Sequence, residues 1–451
     1  MSLLQRLHAK NDEQHPAVSP NREPGPARFQ DLVYKIHREI VKEIGTDMLD
    51  LQQLEGIQQR ESMEEEIKNT CELLMEREPG HYSRQDKEGI IQQVLDEVLD
   101  FGPITPLLKD ESVSEIMVNG PEQVYVEKKG KLLISPVVFR DNEHLYTIIE
   151  RIISPLGRRL DESMPMVDAR LPDGSRVNAI IPPLALNGCV LTIRKFSSQL
   201  LKVEDLIRNN TLTPAMAKFL EACVKGRLNM IVSGGTGAGK TSTLNIISSF
   251  IPSDDRIITI EDSAELDLHQ DHVVSLETRP ANIDRRGEIG IRDLVRNSLR
   301  MRPDRLVVGE VRGGEALDML QAMNTGHDGS LTTGHSNSPR DMISRLETMV
   351  LMAGIDFPVK AIREQITSAM DIIVHQARLQ DGSRKITYIT EVLGMEGDII
   401  SLQNIFVFEQ KGIDERGKVI GRHRATGIKP RCMEKLAAKG ITLPLDFFNL
   451  Q

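Results

Sequence analysis

One run of this chain combines residue types and spacing suited to phosphate chemistry: Gly234, Gly235, Thr236, Gly237, Ala238, Gly239, Lys240 and Thr241, with Ser242 next. It fits G-x-x-x-x-G-K-[ST] and follows an apolar, strand-like stretch at 228–233. Glycines let the backbone turn its N–H groups inward onto phosphate. Lys240 can neutralise β and γ charges, and the Thr241 hydroxyl can ligate Mg²⁺. The alternative, a glycine-rich surface loop, does not account for the strand before the run and the helix after it.

Two acidic strand ends flank this cradle. Residues 306–308 run into Gly309 and Glu310, and residues 256–260 run into Glu261 and Asp262, with Glu265 beyond. Ligands of open α/β sheets sit at the carboxyl ends of strands. One acid can tune the metal while the other orients and deprotonates water, the two tasks of phosphoryl transfer to water. Which of Glu310 and Glu261 is the base stays open, as does the plainer reading of each as a helix N-cap. His327 and His335 frame a glycine- and hydroxyl-rich segment around a strand, where one could hydrogen-bond a γ-phosphate and report its presence. No Cys or further His stands at metal-ligand spacing beside them.

Residues 291–300 read as a helix burying Ile291, Leu294, Val295 and Leu299, with Arg292, Arg296 and Arg300 in a stripe on the opposite face. The stripe fits either a solvated face or, in a ring of identical subunits, a neighbour's nucleotide.

The elements that position these groups follow from periodicity. Pro16, Pro20, Pro24, Gly25 and Pro26 among polar residues make 1–28 a flexible arm. Residues 29–102 read as a helical bundle: Leu32, Ile36, Ile40 and Ile44 recur at i+4, and Ser83 with Asp86 marks the start of its last helix. Short strands with period two, one amphipathic helix and two more strands make 103–198 an α+β domain. The polar stretch 199–210 reads as a hinge. In 211–451, helices alternate with apolar strands, which predicts an α/β domain with a largely parallel sheet covered on both faces.

With 451 residues the chain is long enough for two or three domains. A net charge of −10, no Trp and 4% aromatic residues leave little for nucleic acid to bind, so no nucleic-acid partner is expected. Four scattered cysteines without a C-x-x-C pair suggest neither zinc ribbon nor disulfide framework. No apolar run reaches bilayer-spanning length, so membrane contact is expected to be peripheral, through partners.

These motifs, taken in order from Phe101, resemble the ATPases of the type II/IV secretion and type IV pilus superfamily, above all the CpaF-like ATPases of Tad pilus assembly. The residues that carry the resemblance are Phe101 to Ile104, Gly157 to Glu162, Asp168 to Arg176, Thr192 to Lys195, the cradle, Ile260 to Asp262, Arg300 to Asp304, Gly309 to Glu315 and the histidine segment. The resemblance implies a RecA-like P-loop domain behind a PAS-like domain, a homo-hexameric ring, and ATP with Mg²⁺ bound between the two domains. It gives Lys240 and Thr241 the role of Walker A, Glu310 that of the Walker B acid, Glu261 and Asp262 that of the Asp box, and His327 and His335 that of the His box. Arg176 and Arg194 are similar to arginines that reach the phosphates across the interdomain cleft. The chain departs from the pilus extension and type II secretion ATPases in lacking their tetracysteine zinc module, and it lacks the N-K-x-D that would argue for GTP. The implied activity is ATP hydrolysis coupled to work on an inner-membrane pilus platform at its cytoplasmic face. A nucleic-acid translocase and a nucleotide-gated scaffold with little turnover are the rival readings.

Overall fold

Apolar residues four apart build three helices at the amino end: Pro26–Ile44, Ile57–Arg77 and Arg84–Leu99. The structure, a computed structural model, describes residues 26–44, 57–77, 82–128, 130–196, 201–279 and 286–449. Most of the expected arm therefore lies outside the described residues, and the first helix begins within its end, at Pro26. Proline suits a helix start, where its missing N–H has no intrahelical partner to lose. Leu32, Ile36, Ile40, Ile67, Cys71, Ile90 and Val94 interlock in the bundle core. The third helix opens with the predicted capping box: Ser83 Oγ accepts from Asp86 N, and Asp86 Oδ2 accepts from Ser83 N.

The chain divides into two compact units, Met1–Ser197 and Ser198–Gln451. Beside the bundle, the first unit holds an antiparallel sheet of six strands in the order β3-β2-β1-β6-β5-β4. The strands are β1 Val113–Asn119, β2 Val124–Lys128, β3 Lys131–Ile134, β4 Met166–Arg170, β5 Arg176–Ile180 and β6 Val190–Arg194. The helix Asn142–Ile153 lays Leu145, Ile148, Ile149 and Ile152 into its core.

Within 199–210, the stretch expected to be a hinge, the structure places a helix, Val203–Arg208. Apolar spacing explains the difference: Leu206 is buried, with Val203 and Ile207 packed beside it. Asp205 Oδ2 also accepts from Lys202 N, closing the helix start.

The sheet of the second unit has nine strands in the order β15-β14-β13-β12-β7-β11-β10-β8-β9. Strands β7 Met230–Gly234, β8 Ile257–Glu261, β9 Val273–Glu277, β10 Arg305–Val311, β11 Leu331–His335 and β12 Ile372–Arg378 are mutually parallel. Strands β7 and β8 are buried along their whole length, as expected where helices cover both faces. Strands β13 Arg384–Glu396, β14 Ile399–Ile413 and β15 Val419–Ala425 extend the sheet antiparallel, a wing that sequence periodicity did not reveal. Parallel register brings the carboxyl ends of the central strands level: His335 and Gln376 both pair with Gly234.

Candidate active site

The cradle forms where β7 turns into the helix Lys240–Ser248. Gly237 and Gly239 hold φ of 69° and 92°, a region that side chains rarely tolerate. Gly234 is required by packing, since a Cβ there would stand 2.1 Å from the main-chain oxygen of Gln376 on β12. When amides turn inward onto phosphate, carbonyls turn outward and need donors. Arg384 Nε supplies one to Gly237 O at 3.0 Å. Thr243 Oγ1 donates to Gln376 Oε1, tying the first turn of the helix to the same neighbouring strand. Gln376 and Arg384 belong to no motif in the sequence, and only the strand register places them here.

Lys240 is buried to 8% exposure, and its Nζ donates to Gly235 O at 3.3 Å. The same Nζ stands 3.4 and 3.3 Å from the two ring nitrogens of His335, at the end of β11. His335 Nε2 lies 2.9 Å from Glu310 Oε1, near the end of β10. That approach is off hydrogen-bond alignment, and Oε1 is buried with no hydrogen-bond partner. Glu310 Oε2 accepts from Arg312 Nε at 3.0 Å and Nη2 at 2.7 Å. Burial, helped by the Lys240 cation and opposed by Glu310, holds the His335 imidazole below the usual histidine value, so the ring is neutral at neutral pH. The bond to Glu310 holds the Arg312 guanidinium above its usual value.

Glu261 closes β8 on the far side of β10. Its Oε1 accepts from Glu265 N at 3.0 Å and Leu266 N at 3.1 Å, and the side chain is buried. A Cβ on Gly309 would come within 2.8 Å of Glu261 Cγ, so glycine at 309 is what lets the two acidic strand ends pack together. The structure thus gathers Lys240, His335 and Glu310 at one edge, with Glu261 adjoining.

Not every expected residue arrives there. His327 lies in the turn before β11, at the amino end of the strands, with its ring Nδ1 3.3 Å from Ala322 O. A five-residue strand rising about 3.3 Å per residue separates it from His335, so the structure does not bring His327 to the cradle beside His335. Its backbone N also meets Ala322 O, closing the end of the helix Glu315–Asn324. Arg176 and Arg194 are register partners on β5 and β6 of the first unit. The arginine stripe also differs from expectation: Arg292 Nε and Arg296 Nε both donate to Asp318, each at 2.7 Å, on the helix Glu315–Asn324.

A Mg²⁺ ion favours a few hard oxygens and completes its shell with water and phosphate. Thr241, in the first turn of the helix, and the unpartnered Glu310 Oε1 are oxygens of that kind. Among the described residues there is no group of three or more His, Cys, Asp and Glu placed to hold a metal.

A loop that turns amides onto phosphate, beside a carboxylate with one oxygen left to work with, is the equipment of a P-loop ATPase. The chain belongs to the type II/IV secretion system protein family, whose profile matches residues 97–429. It is similar to a Mycobacterium tuberculosis protein named for conjugal transfer, with 36% identity over 309 residues covering 67% of this chain and 87% of that one. VirB11, a type IV secretion system protein of Brucella suis, is 31% identical over 318 residues, covering 64% and 88%. Among solved structures, the Legionella pneumophila ATPase DotB aligns with a TM-score of 0.46 at 22% identity, over 62% of this chain and 77% of that one.

Proposed function

We propose that this chain is a homo-hexameric ATP-hydrolysing motor of CpaF type, powering Tad pilus assembly by moving an inner-membrane platform from the cytoplasmic face. The observation that supports it best is the convergence of Lys240, His335 and Glu310 on the cradle. The loop 234–241 binds the phosphates of ATP through its amides, with Ser242 following in the same helix turn. Lys240 neutralises the β and γ charges. When bound, Mg²⁺ would be held by the Thr241 hydroxyl, with phosphate and water completing its shell, and would offset charge on the transferring phosphate.

Glu310 is the better base of the two acids. Glu261 has two main-chain N–H groups on its Oε1, whereas Glu310 keeps Oε1 without a donor. The water proton passes to Glu310 as water oxygen bonds to the γ-phosphorus and the bond to ADP breaks. Neutral His335 sits between the lysine and the acid, where it can sense the γ-phosphate. By the resemblance, Arg176 and Arg194 bring further fixed positive charge to the phosphates, held before hydrolysis and released after it. No helix among the described residues is long and apolar enough to cross a membrane, so the reading has the motor grip its platform from outside the bilayer.

The test is steady-state phosphate release with Mg²⁺ and ATP, parent beside Lys240→Ala and Arg194→Ala, with assembly state read by light scattering. Turnover that needs both residues and a hexamer-sized species supports the motor. Tight ATP binding without turnover would instead favour a nucleotide-gated scaffold.

A further inference from the structure

Arg312 follows directly on the end of β10, two residues past Glu310. The structure puts its guanidinium between the two acidic strand ends. Two of its N–H groups are on Glu310 Oε2, at 3.0 and 2.7 Å, and Nη1 is 3.5 Å from Asp262 Oδ2. Its backbone is fixed as well: Glu315 Oε1 accepts from Arg312 N at 2.6 Å and from Gly313 N at 2.8 Å. Residues 312–315 thereby form a closed turn just past β10, with Glu315 pinning the main chain and Arg312 pinning the Glu310 carboxylate.

The consequence is an asymmetry between the two oxygens of Glu310. Oε2 takes two N–H groups from one guanidinium, charge-assisted bonds that satisfy this oxygen and anchor it. Oε1 is left buried without a donor and directed toward His335. We propose that Arg312 is the positioning residue of Glu310, holding Oε2 so that Oε1 alone is presented to the attacking water. This rests on the reading of Glu310 as the base. Arg312 itself takes no proton and touches no substrate; it sets the direction from which Glu310 does so. The guanidinium also counters the repulsion between Glu310 and Asp262, which lets two acids stand at neighbouring strand ends.

Five proteins test this: parent, Arg312→Gln, Glu310→Gln, the double variant, and Arg312→Lys as the conservative control. Phosphate release, affinity for a fluorescent ATP analogue and thermal melting are measured on each. Arg312→Gln should lower kcat at least tenfold while analogue affinity stays within about twofold of the parent and melting is unchanged. Arg312→Lys, which keeps the charge and one donor, should recover part of the loss. In the Glu310→Gln background, Arg312→Gln should have no further effect on residual turnover, because a residue that acts only through Glu310 has nothing left to position. An unchanged kcat in Arg312→Gln overturns the proposal. So does a further fall in the double variant, or a loss of kcat matched by equal losses of affinity and melting temperature. Active parent protein whose turnover survives Glu310→Gln overturns instead the reading of Glu310 as base, and the role of Arg312 with it.

Discussion

His335 Nε2 lies 3.3 Å from Lys240 Nζ and 2.9 Å from Glu310 Oε1, so one imidazole joins the cradle cation to the acid two strands away. The joint predicts how the two ends fail. Lys240→Ala removes the cradle cation, which the proposed function sets against the phosphates, and should lose both hydrolysis and most nucleotide affinity. Glu310→Gln keeps the shape and should retain affinity while turnover falls by about 10² or more. Binding of a fluorescent nucleotide beside phosphate release separates the two outcomes. Equal loss of affinity in both variants would contradict the division of roles.

The same contact makes His335 a reporter. Burial is the larger cause of its lowered titration and the Lys240 cation the next, so Lys240→Met should move it upward, toward the ordinary histidine value. Following the His335 ring by NMR from pH 4 to 8 checks this. No movement would mean that the lysine charge does not reach the ring in solution.

Arg296 was open to two readings in the sequence, a finger for a neighbour's nucleotide or a solvated face, and the structure gives a third. With Arg292 it grips Asp318, which is buried, and ties the helix Ile291–Ser298 to the helix Glu315–Asn324. Arg296 is half exposed, so Arg296→Ala should cost about 1 kcal/mol or less. Asp318→Ala leaves two guanidinium groups without their shared partner and should cost about 2–3 kcal/mol. Denaturant melts measure both. In mixed assemblies, Arg296→Ala should lower activity in proportion to its fraction, and a steeper loss would restore the finger.

Legibility in the sequence followed the physics of each signal. Strands β7, β8 and β10 announced themselves because burial on both faces demands unbroken apolar runs, and glycine with lysine at the cradle has few other uses. The wing β13–β15 did not. In β13 buried and half-exposed residues follow one another without clean alternation, and both β13 and β14 carry register shifts, so no period of two survives. Gln376 and Arg384 were invisible for that reason, since they act through register with β7 and β12 rather than through spacing. His327 and His335 looked equivalent because they flank the same strand, yet a strand has two ends and only the His335 end lies beside Lys240. The helix Val203–Arg208 was hidden by its brevity, with three apolar residues in a polar stretch.

Acid stability should depend on the wing. Burial holds His423 down to about 4, with its Nε2 3.1 Å from Ile386 O and its ring against Phe408. Because the folded value lies below the unfolded one, the unfolded chain binds more protons between the two. The stability that the neutral ring confers is therefore complete above about 6.5 and is lost as pH falls toward 4. At about 1.4 kcal/mol per pH unit, this amounts to roughly 3 kcal/mol. His423→Gln keeps a donor for Ile386 O and cannot titrate, so its melting temperature should fall less steeply between pH 6.5 and 4. Parallel slopes for parent and variant would show that His423 does not carry the acid sensitivity.

Gly309 gives the last prediction, because its missing side chain is what allows Glu261 to sit against β10. In Gly309→Ala the new Cβ would stand 2.8 Å from Glu261 Cγ and 3.2 Å from Oε1, closer than packing tolerates. Glu261 is seated on the N–H groups of Glu265 and Leu266 and cannot withdraw without leaving them unpaired in a buried setting. Either Glu261 moves or the end of β10 does, and Glu310 is the next residue along. The variant should therefore fold with a loss of about 1–3 kcal/mol and lose turnover well beyond that. Gly309→Ala combined with Glu261→Ala removes the clash and the seated carboxylate together. If the contact is the cause, the pair should recover part of the turnover lost by Gly309→Ala alone. If the double variant is no more active than the single one, the steric account of Gly309 fails and Glu261 has a role in turnover beyond shaping its loop.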